Sequence, residues 1–280
     1  MSYEQDVQMP TEMPGEMPTG KEDEFLRAKE AIAGPVPLIP SQPSGSVELP
    51  KGFMYQGVAQ HKAEVKELNG ADEEALARTK DFSDFWDRMV SLGTVRLGDL
   101  DMSDMSLTER QGALRTLLVG ERERLFIGIV QATYGDTKTV NFTCGQCQAE
   151  QEVDVVFSED LEIKEVDDIR PSYTYTSSTG DLIEYRLVNG ADQMEALKDA
   201  STNVAEQNTT VLSRCITKVN DGLVPDPLRY ARQMKIKDRQ AILKELVDHQ
   251  PGVNLEVKLR CLRCQNEQTL PLGWADLFQT

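Results

Sequence analysis

Val140-Asn141-Phe142-Thr143-Cys144-Gly145-Gln146-Cys147-Gln148-Ala149-Glu150-Gln151 and Val257-Lys258-Leu259-Arg260-Cys261-Leu262-Arg263-Cys264-Gln265-Asn266-Glu267-Gln268 are two versions of one pattern. Each runs from alternating apolar residues through Cys-x-x-Cys to Gln-x-Glu-Gln. Alternation before and after each cysteine pair predicts a β-hairpin at each knuckle. Two such pairs supply four thiolates, the complement of a closed tetrahedral zinc site. Cys144, Cys147, Cys261 and Cys264 are therefore the expected ligands of one structural zinc per chain, in a zinc ribbon. Residues 148–260, 113 in all, separate the two pairs. If one ion joins the knuckles, that segment is a loop tied shut at its base.

The same residues weigh against catalysis. A catalytic zinc keeps one position open, and four thiolates close the shell. The chain has two histidines, His61 in a polar stretch and His249 at an expected helix end. Each reads as plain structure rather than as a general base. Leu118-Val119-Gly120-Glu121-Arg122 lacks the lysine and second glycine of a phosphate loop, and no Gly-x-Ser-x-Gly elbow occurs. The fifth cysteine, Cys215, sits among apolar residues and reads as a buried thiol.

Totals bound the rest. The chain has 280 residues, 39% of them apolar, with 47 acidic against 30 basic and a formal net charge of −17. So acidic a surface opposes nonspecific nucleic-acid binding, which displaces counterions with cationic groups. No apolar run reaches the roughly 20 residues a membrane helix needs. Met1-Ser2-Tyr3-Glu4-Gln5-Asp6 has no basic start or apolar core, so no secretory leader is expected. A reducing cytoplasm is expected at synthesis, where paired cysteines point to metal more than to disulfide.

Residues 1–46 read as an extended or disordered arm. Met9-Pro10, Met13-Pro14 and Met17-Pro18 recur every four residues, and proline blocks both helix and ladder. A short helix is expected at Glu22–Ala33, then a polyproline-like course through Pro35, Pro37, Pro40 and Pro43. Residues 47–135 read as mainly helical with a short strand. Val47 to Tyr55 is extended, with a turn at Pro50–Gly52, and Ala63–Leu68 alternates as a strand. Asp72-Glu73-Glu74 is a solvated, acidic helix start. Phe82, Phe85, Trp86 and Met89 form one helical stripe, read as core. Ser106-Leu107-Thr108-Glu109 is a capping box. Gly120 should break or bend the helix that follows. Leu125, Phe126, Ile127, Ile129 and Val130 cover more than one face, so that helix should be central.

Between the knuckles, Val153–Val166 alternates and is acidic, ending in Asp167-Asp168, read as solvated loop. Tyr173–Thr176 and Leu182–Leu187 read as a hairpin. Helices are expected from Asp192, with Glu195 as reciprocal cap, over Val211–Val219, and from Asp238 as N-cap. Pro251-Gly252 releases the chain into the second knuckle. The divisions expected are a 136–165 and 253–280 split ribbon and an inserted α+β subdomain over 166–252. The fold class is α+β: a helical N-terminal half joined to the ribbon and its insert, behind an extended Pro/Met-rich arm.

These elements, in this order, resemble the T4-type phage baseplate hub and tail-assembly proteins that carry a split zinc ribbon. Leu49-Pro50-Lys51-Gly52-Phe53-Met54-Tyr55, Val65–Leu76 and Leu117-Leu118-Val119-Gly120-Glu121-Arg122 are similar to that family's opening, acidic helix start and leucine-glycine-arginine helix. Thr133-Tyr134-Gly135 before the first knuckle and Pro251-Gly252-Val253 before the second match its entry and return. The likeness covers about residues 47–280. The family often has Cys-Pro-x-Cys-Gly knuckles, and here Gln148 and Gln265 stand where glycine would ease a positive-φ turn. The resemblance implies a non-enzymatic structural component of a baseplate hub, or its assembly factor. It would reside in the virion tail, and in host cytoplasm during assembly. Its partners would be other baseplate, hub and tail proteins, met through the arm at about 1–50. The alternative is a zinc-ribbon nucleic-acid or transcription adaptor, for which Lys258, Arg260 and Arg263 supply local positive charge. The −17 total and Glu150, Glu152 and Asp154 oppose it, and no nucleic acid is expected as partner.

Overall fold

A computed structural model describes residues 44–166, 169–198, 203–274 and 277. The expected arm, with its Met-Pro repeat and its helix at Glu22–Ala33, lies outside the described residues up to position 43, as do Asp167 and Asp168. Gly45 and Ser46, counted with the arm, already belong to the first strand. The fold is α+β.

Strands β1 (Gly45–Tyr55) and β2 (Val58–Val65) form a hairpin that turns at Gln56–Gly57, both at positive φ. The turn expected at Pro50–Gly52 is a bulge within β1. The register passes from Glu48 opposite Lys62 to Phe53 opposite Gln60, so four residues face one. Gly52 has φ 79°, and a Cβ there would meet the Gln60 carbonyl oxygen at 2.5 Å. The bulge amides of Lys51 and Gly52 donate to one oxygen of Glu121, at 2.8 and 2.7 Å. Strands β3 (Thr94–Leu97) and β4 (Leu100–Asp101) complete an antiparallel sheet in the order β1-β2-β3-β4. Only one short strand was expected in this half. The added pair is too short to show alternation, and it forms because β2 offers an edge.

Helix α1 (Gly70–Ala77) is capped reciprocally by Asn69 and Asp72. Asp72 is not a solvated charge: it is buried in an ion pair with Lys66. Helix α2 (Phe82–Gly93) turns Trp86 and Met89 into the core. Helix α3 (Leu107–Leu114) starts at the expected Ser106–Glu109 box. Helix α4 (Val119–Tyr134) is central, with Leu125, Phe126, Ile127, Ile129 and Val130 all buried. Trp86 stacks on Phe126 at 4.2 Å and meets Trp274 edge-on at 4.6 Å. The helix opened by the Ser106 box does stop before Arg122, but at Leu114 rather than at Gly120. Gly120 lies in the first turn of α4, where a Cβ would fall 1.4 Å from the carbonyl oxygen of Pro251. The position is glycine because the returning chain crosses there.

From α4 the chain enters β5 (Thr137–Thr143), β6 (Glu150–Val156), the short α5 (Phe157–Asp160) and β7 (Glu162–Lys164). Next come β8 (Tyr173–Thr176), β9 (Leu182–Tyr185), α6 (Gly190–Leu197), α7 (Val204–Cys215), β10 (Ile216–Val219), β11 (Gly222–Leu223), α8 (Pro227–Gln233) and α9 (Ile236–Asp248). Strands β12 (Gly252–Asn254), β13 (Glu256–Arg260) and β14 (Glu267–Pro271) complete the order. The hairpin expected at Tyr173–Leu187 is present as β8 and β9, within a sheet ordered β11-β10-β9-β8. Three local expectations are corrected. Helix α6 is capped by Asn189, and Asp192 is its buried partner in the box, ion-paired to Arg186 and Arg214. The spacing of Val211–Val219 stops being helical at Cys215, where β10 finds β9 as a partner. Asp238 does not cap its own helix; its carboxylate accepts from the Ser178 amide, the Ser178 hydroxyl and the Tyr175 hydroxyl.

Two apolar clusters result. One joins α2, α4 and the first sheet to Phe142, Cys144, Val155, Val257, Leu259 and Cys261. The other draws on residues 173–246 and takes in Leu118 from the first half. Fully buried Arg122 connects their walls: its guanidinium donates to Asp87 at 2.6 Å and to Gln193 at 3.1 Å. Strands β7 and β12 pair with Lys164 opposite Gly252, so the outgoing and returning chain are joined near the open ends of the two hairpins. No helix among the described residues is long and apolar enough to cross a membrane.

Candidate metal centre

Strands β5 and β6 pair from Thr137–Val156 to Thr143–Glu150, and β13 and β14 from Glu256–Pro271 to Arg260–Glu267. The knuckles at their tips share one build. The Cys144 amide donates to Ala149 and the Gln148 amide to Cys144, both at 2.9 Å. The Cys261 amide donates to Asn266 and the Gln265 amide to Cys261 at the same distance. The residue after the second cysteine is left-handed in each, with φ 56° at Gln148 and 61° at Gln265. Both side chains fold back on their own knuckle: Gln148 Nε2 donates to Gly145 O and Gln265 Nε2 to Leu262 O, each at 3.2 Å. Glutamine thus occupies the conformation that glycine would take more easily.

The tips meet. Cys144 Sγ lies 3.7 Å from Cys264 Sγ, and Cys147 Sγ lies 3.6 Å from Cys261 Sγ. All four sulfurs are within 4.8 Å of one another. A disulfide needs about 2.05 Å between its sulfurs, whereas tetrahedral zinc with Zn–S of about 2.3 Å sets them about 3.8 Å apart. The pairs at 3.7 and 3.6 Å fit the second spacing and not the first. Cys144 and Cys261 are buried, and Cys147 and Cys264 half-buried.

Donors surround the sulfurs. The Cys264 amide lies 3.5 Å from Cys261 Sγ, and Gln151 Nε2 donates to the same sulfur at 2.9 Å. Led by the Cys264 amide, these donors bring the Cys261 thiol down to about 6. The amides of Cys147 and Gln146 lower Cys144. Cys264 moves the other way. The Asn266 amide draws it down, but burial and the sulfurs of Cys261, Cys147 and Cys144 push it up to about 12. Neighbouring thiolates repel one another, and a divalent cation among them removes that repulsion.

Two further residues belong to the centre. Gln151 Oε1 accepts the Leu262 amide at 2.8 Å, and Gln268 Oε1 accepts the Gly145 amide at 3.0 Å. Each glutamine leaves one knuckle and binds the other, at the residue after its first cysteine. The repeated Gln-x-Glu-Gln therefore divides its work: the first glutamine braces its own knuckle and the last crosses. The repeat was visible in the sequence. The role was not, because the partners lie more than a hundred residues away.

The remaining candidates are elsewhere. Cys215 is buried in the second cluster, and burial pushes its thiol up to about 12. The His61 ring nitrogen Nδ1 lies 3.1 Å from Leu49 O, and the His249 ring rests 4.5 Å from that of Tyr173. Among the described residues, the four knuckle cysteines are the cluster of metal-ligating side chains. A family model described as T4 bacteriophage base plate protein matches residues 104–279, a span that contains both knuckles and all that lies between them. No curated protein and no solved structure matches the chain.

Proposed function

The chain belongs to the T4 bacteriophage base plate protein family, and on that premise we propose that it is a non-enzymatic structural part of a phage base plate hub, or a factor in its assembly, built on one structural zinc ion. The family match over residues 104–279 is the observation that carries this reading. The proposed ligands are Cys144, Cys147, Cys261 and Cys264. Each ribbon hairpin has only two strands, and a bound zinc would add folding free energy to so small a unit beyond its packing on the first cluster. A closed thiolate shell leaves no position for a substrate. Function is then a matter of surfaces: neighbouring base plate, hub and tail proteins are the partners, met in part through the arm at about 1–50, in the virion tail and in host cytoplasm during assembly. The adaptor reading is not favoured by the family match, and of the three basic residues offered for it Arg260 is ion-paired with Glu267 on the adjacent strand.

Mass spectrometry of purified tails, with elemental analysis of the purified protein, tests the proposal. The expected result is the chain in tails at a fixed ratio to other base plate proteins, and one zinc per chain. Presence in tail intermediates but not in finished virions selects the assembly factor. Absence from both overturns the base plate reading, and zero or two zinc ions per chain overturns the single ribbon.

A further inference from the structure

The two crossing glutamines are equivalent in sequence and unequal in space. Gln268 makes one crossing contact, from its Oε1 to the Gly145 amide. Gln151 makes two, from its Oε1 to the Leu262 amide and from its Nε2 to Cys261 Sγ at 2.9 Å. The Leu262 amide can only donate, so it takes the carboxamide oxygen and leaves the NH2 facing the sulfur. Gln151 leaves the first hairpin, and Cys261 belongs to the second. One planar group therefore fixes both the position of the opposite knuckle and the electron density on one of its sulfurs.

We propose that Gln151 is a positioning residue of the metal centre, tuning the Cys261 thiolate by an N–H···S hydrogen bond across the seam, while Gln268 only fastens the knuckles together. The proposal rests on the zinc reading above. A thiolate that accepts such a bond donates less charge to its metal, and the bond also fixes the sulfur's orientation. Outer-shell partners of this kind change metal affinity by about 10–100-fold. Glutamate at position 151 keeps an oxygen for the Leu262 amide but loses the N–H and places negative charge against the sulfur. Glutamate at position 268 adds the same charge at the equivalent place, yet keeps the one crossing contact found there.

Cobalt(II) titration of the full-length wild type, Gln151→Glu and Gln268→Glu, with zinc competition, separates these roles. The expected result for Gln151→Glu is at least about tenfold weaker binding and a shifted sulfur-to-cobalt charge-transfer band. Gln268→Glu should stay within about threefold of wild type, with its band unmoved. Equal loss in the two variants, or wild-type affinity and band in Gln151→Glu, overturns the proposal while leaving the zinc reading intact. Failure of the wild type to bind cobalt or zinc overturns the zinc reading itself. Should Gln151→Glu not fold, nuclear magnetic resonance of cadmium-loaded wild type decides. Slowed exchange and a shifted resonance are expected for the Gln151 side-chain amide and not for that of Gln268; identical behaviour of the two overturns the proposal.

Discussion

Gln148 and Gln265 hold φ values that cost a side-chain-bearing residue roughly 1–2 kcal/mol. Replacing either by glycine removes that strain but frees the unfolded chain and gives up an exposed side-chain bond. The expected outcome in denaturant melts of metal-loaded protein is a change between zero and about 1 kcal/mol of stabilisation. Valine at either position, β-branched in a left-handed conformation, should lose about 1–2 kcal/mol in the same melts. At Gly120 the constraint is contact rather than φ. A methyl group would lie 1.4 Å from the Pro251 oxygen, so Gly120→Ala should cost about 3 kcal/mol or abolish folding. Gly112→Ala, on the same half and facing open space, should gain up to about 1 kcal/mol. Nothing local separates the two glycines in the sequence. The chain that presses on Gly120 arrives some 130 residues later.

At the scale of elements, buried carboxylates hold segments together. Glu121 opens α4 and accepts the amides of Lys51, Gly52 and Leu118, binding the β1 bulge to the helix start. Glu121→Ala would strand the buried Leu118 amide and take the acceptor from the Lys51 and Gly52 amides, and should cost about 2–3 kcal/mol, measured by urea unfolding. Two residues along, Glu123 accepts the Val253 amide of β12 at 3.3 Å, and burial raises its carboxyl from 4.5 to about 7. The folded state therefore holds a proton that the unfolded state has released between those values. Stability falls as pH rises from about 4.5 to 7, and Glu123→Gln should flatten that slope while leaving the low-pH stability near wild type. The pH dependence of the urea midpoint checks both statements. The caps show how far local reading reaches. Ser106–Glu109 was legible because both partners lie within one turn. Asp192 and Asp238 were misplaced because their carboxylates serve Arg214 and Ser178, 22 and 60 residues away.

For the whole molecule, the proposed metal and the second apolar cluster should be separable supports. None of the four knuckle cysteines belongs to that cluster, and the β7–β12 pair joins the ends of the intervening segment without them. Chelation, or Cys144→Ser, should therefore abolish hydrogen-exchange protection in 137–156 and 256–271 while residues 204–246 stay protected. Collapse of protection in both would mean that the metal supports the entire second half. By itself the sequence determined which four cysteines come together, the hairpins bearing them and the central place of α4, all of which follow from spacing and periodicity set within a few residues. The likeness to base plate proteins rested instead on an ordered set of motifs. Only the tertiary structure decided which knuckle faces which sulfur, that Gln151 and Gln268 cross the seam, that Pro50–Gly52 is a bulge held by Glu121, and that β3 and β4 extend the first sheet. Each of these is a contact between residues distant in the chain, and its free energy exists only once both partners have been brought together.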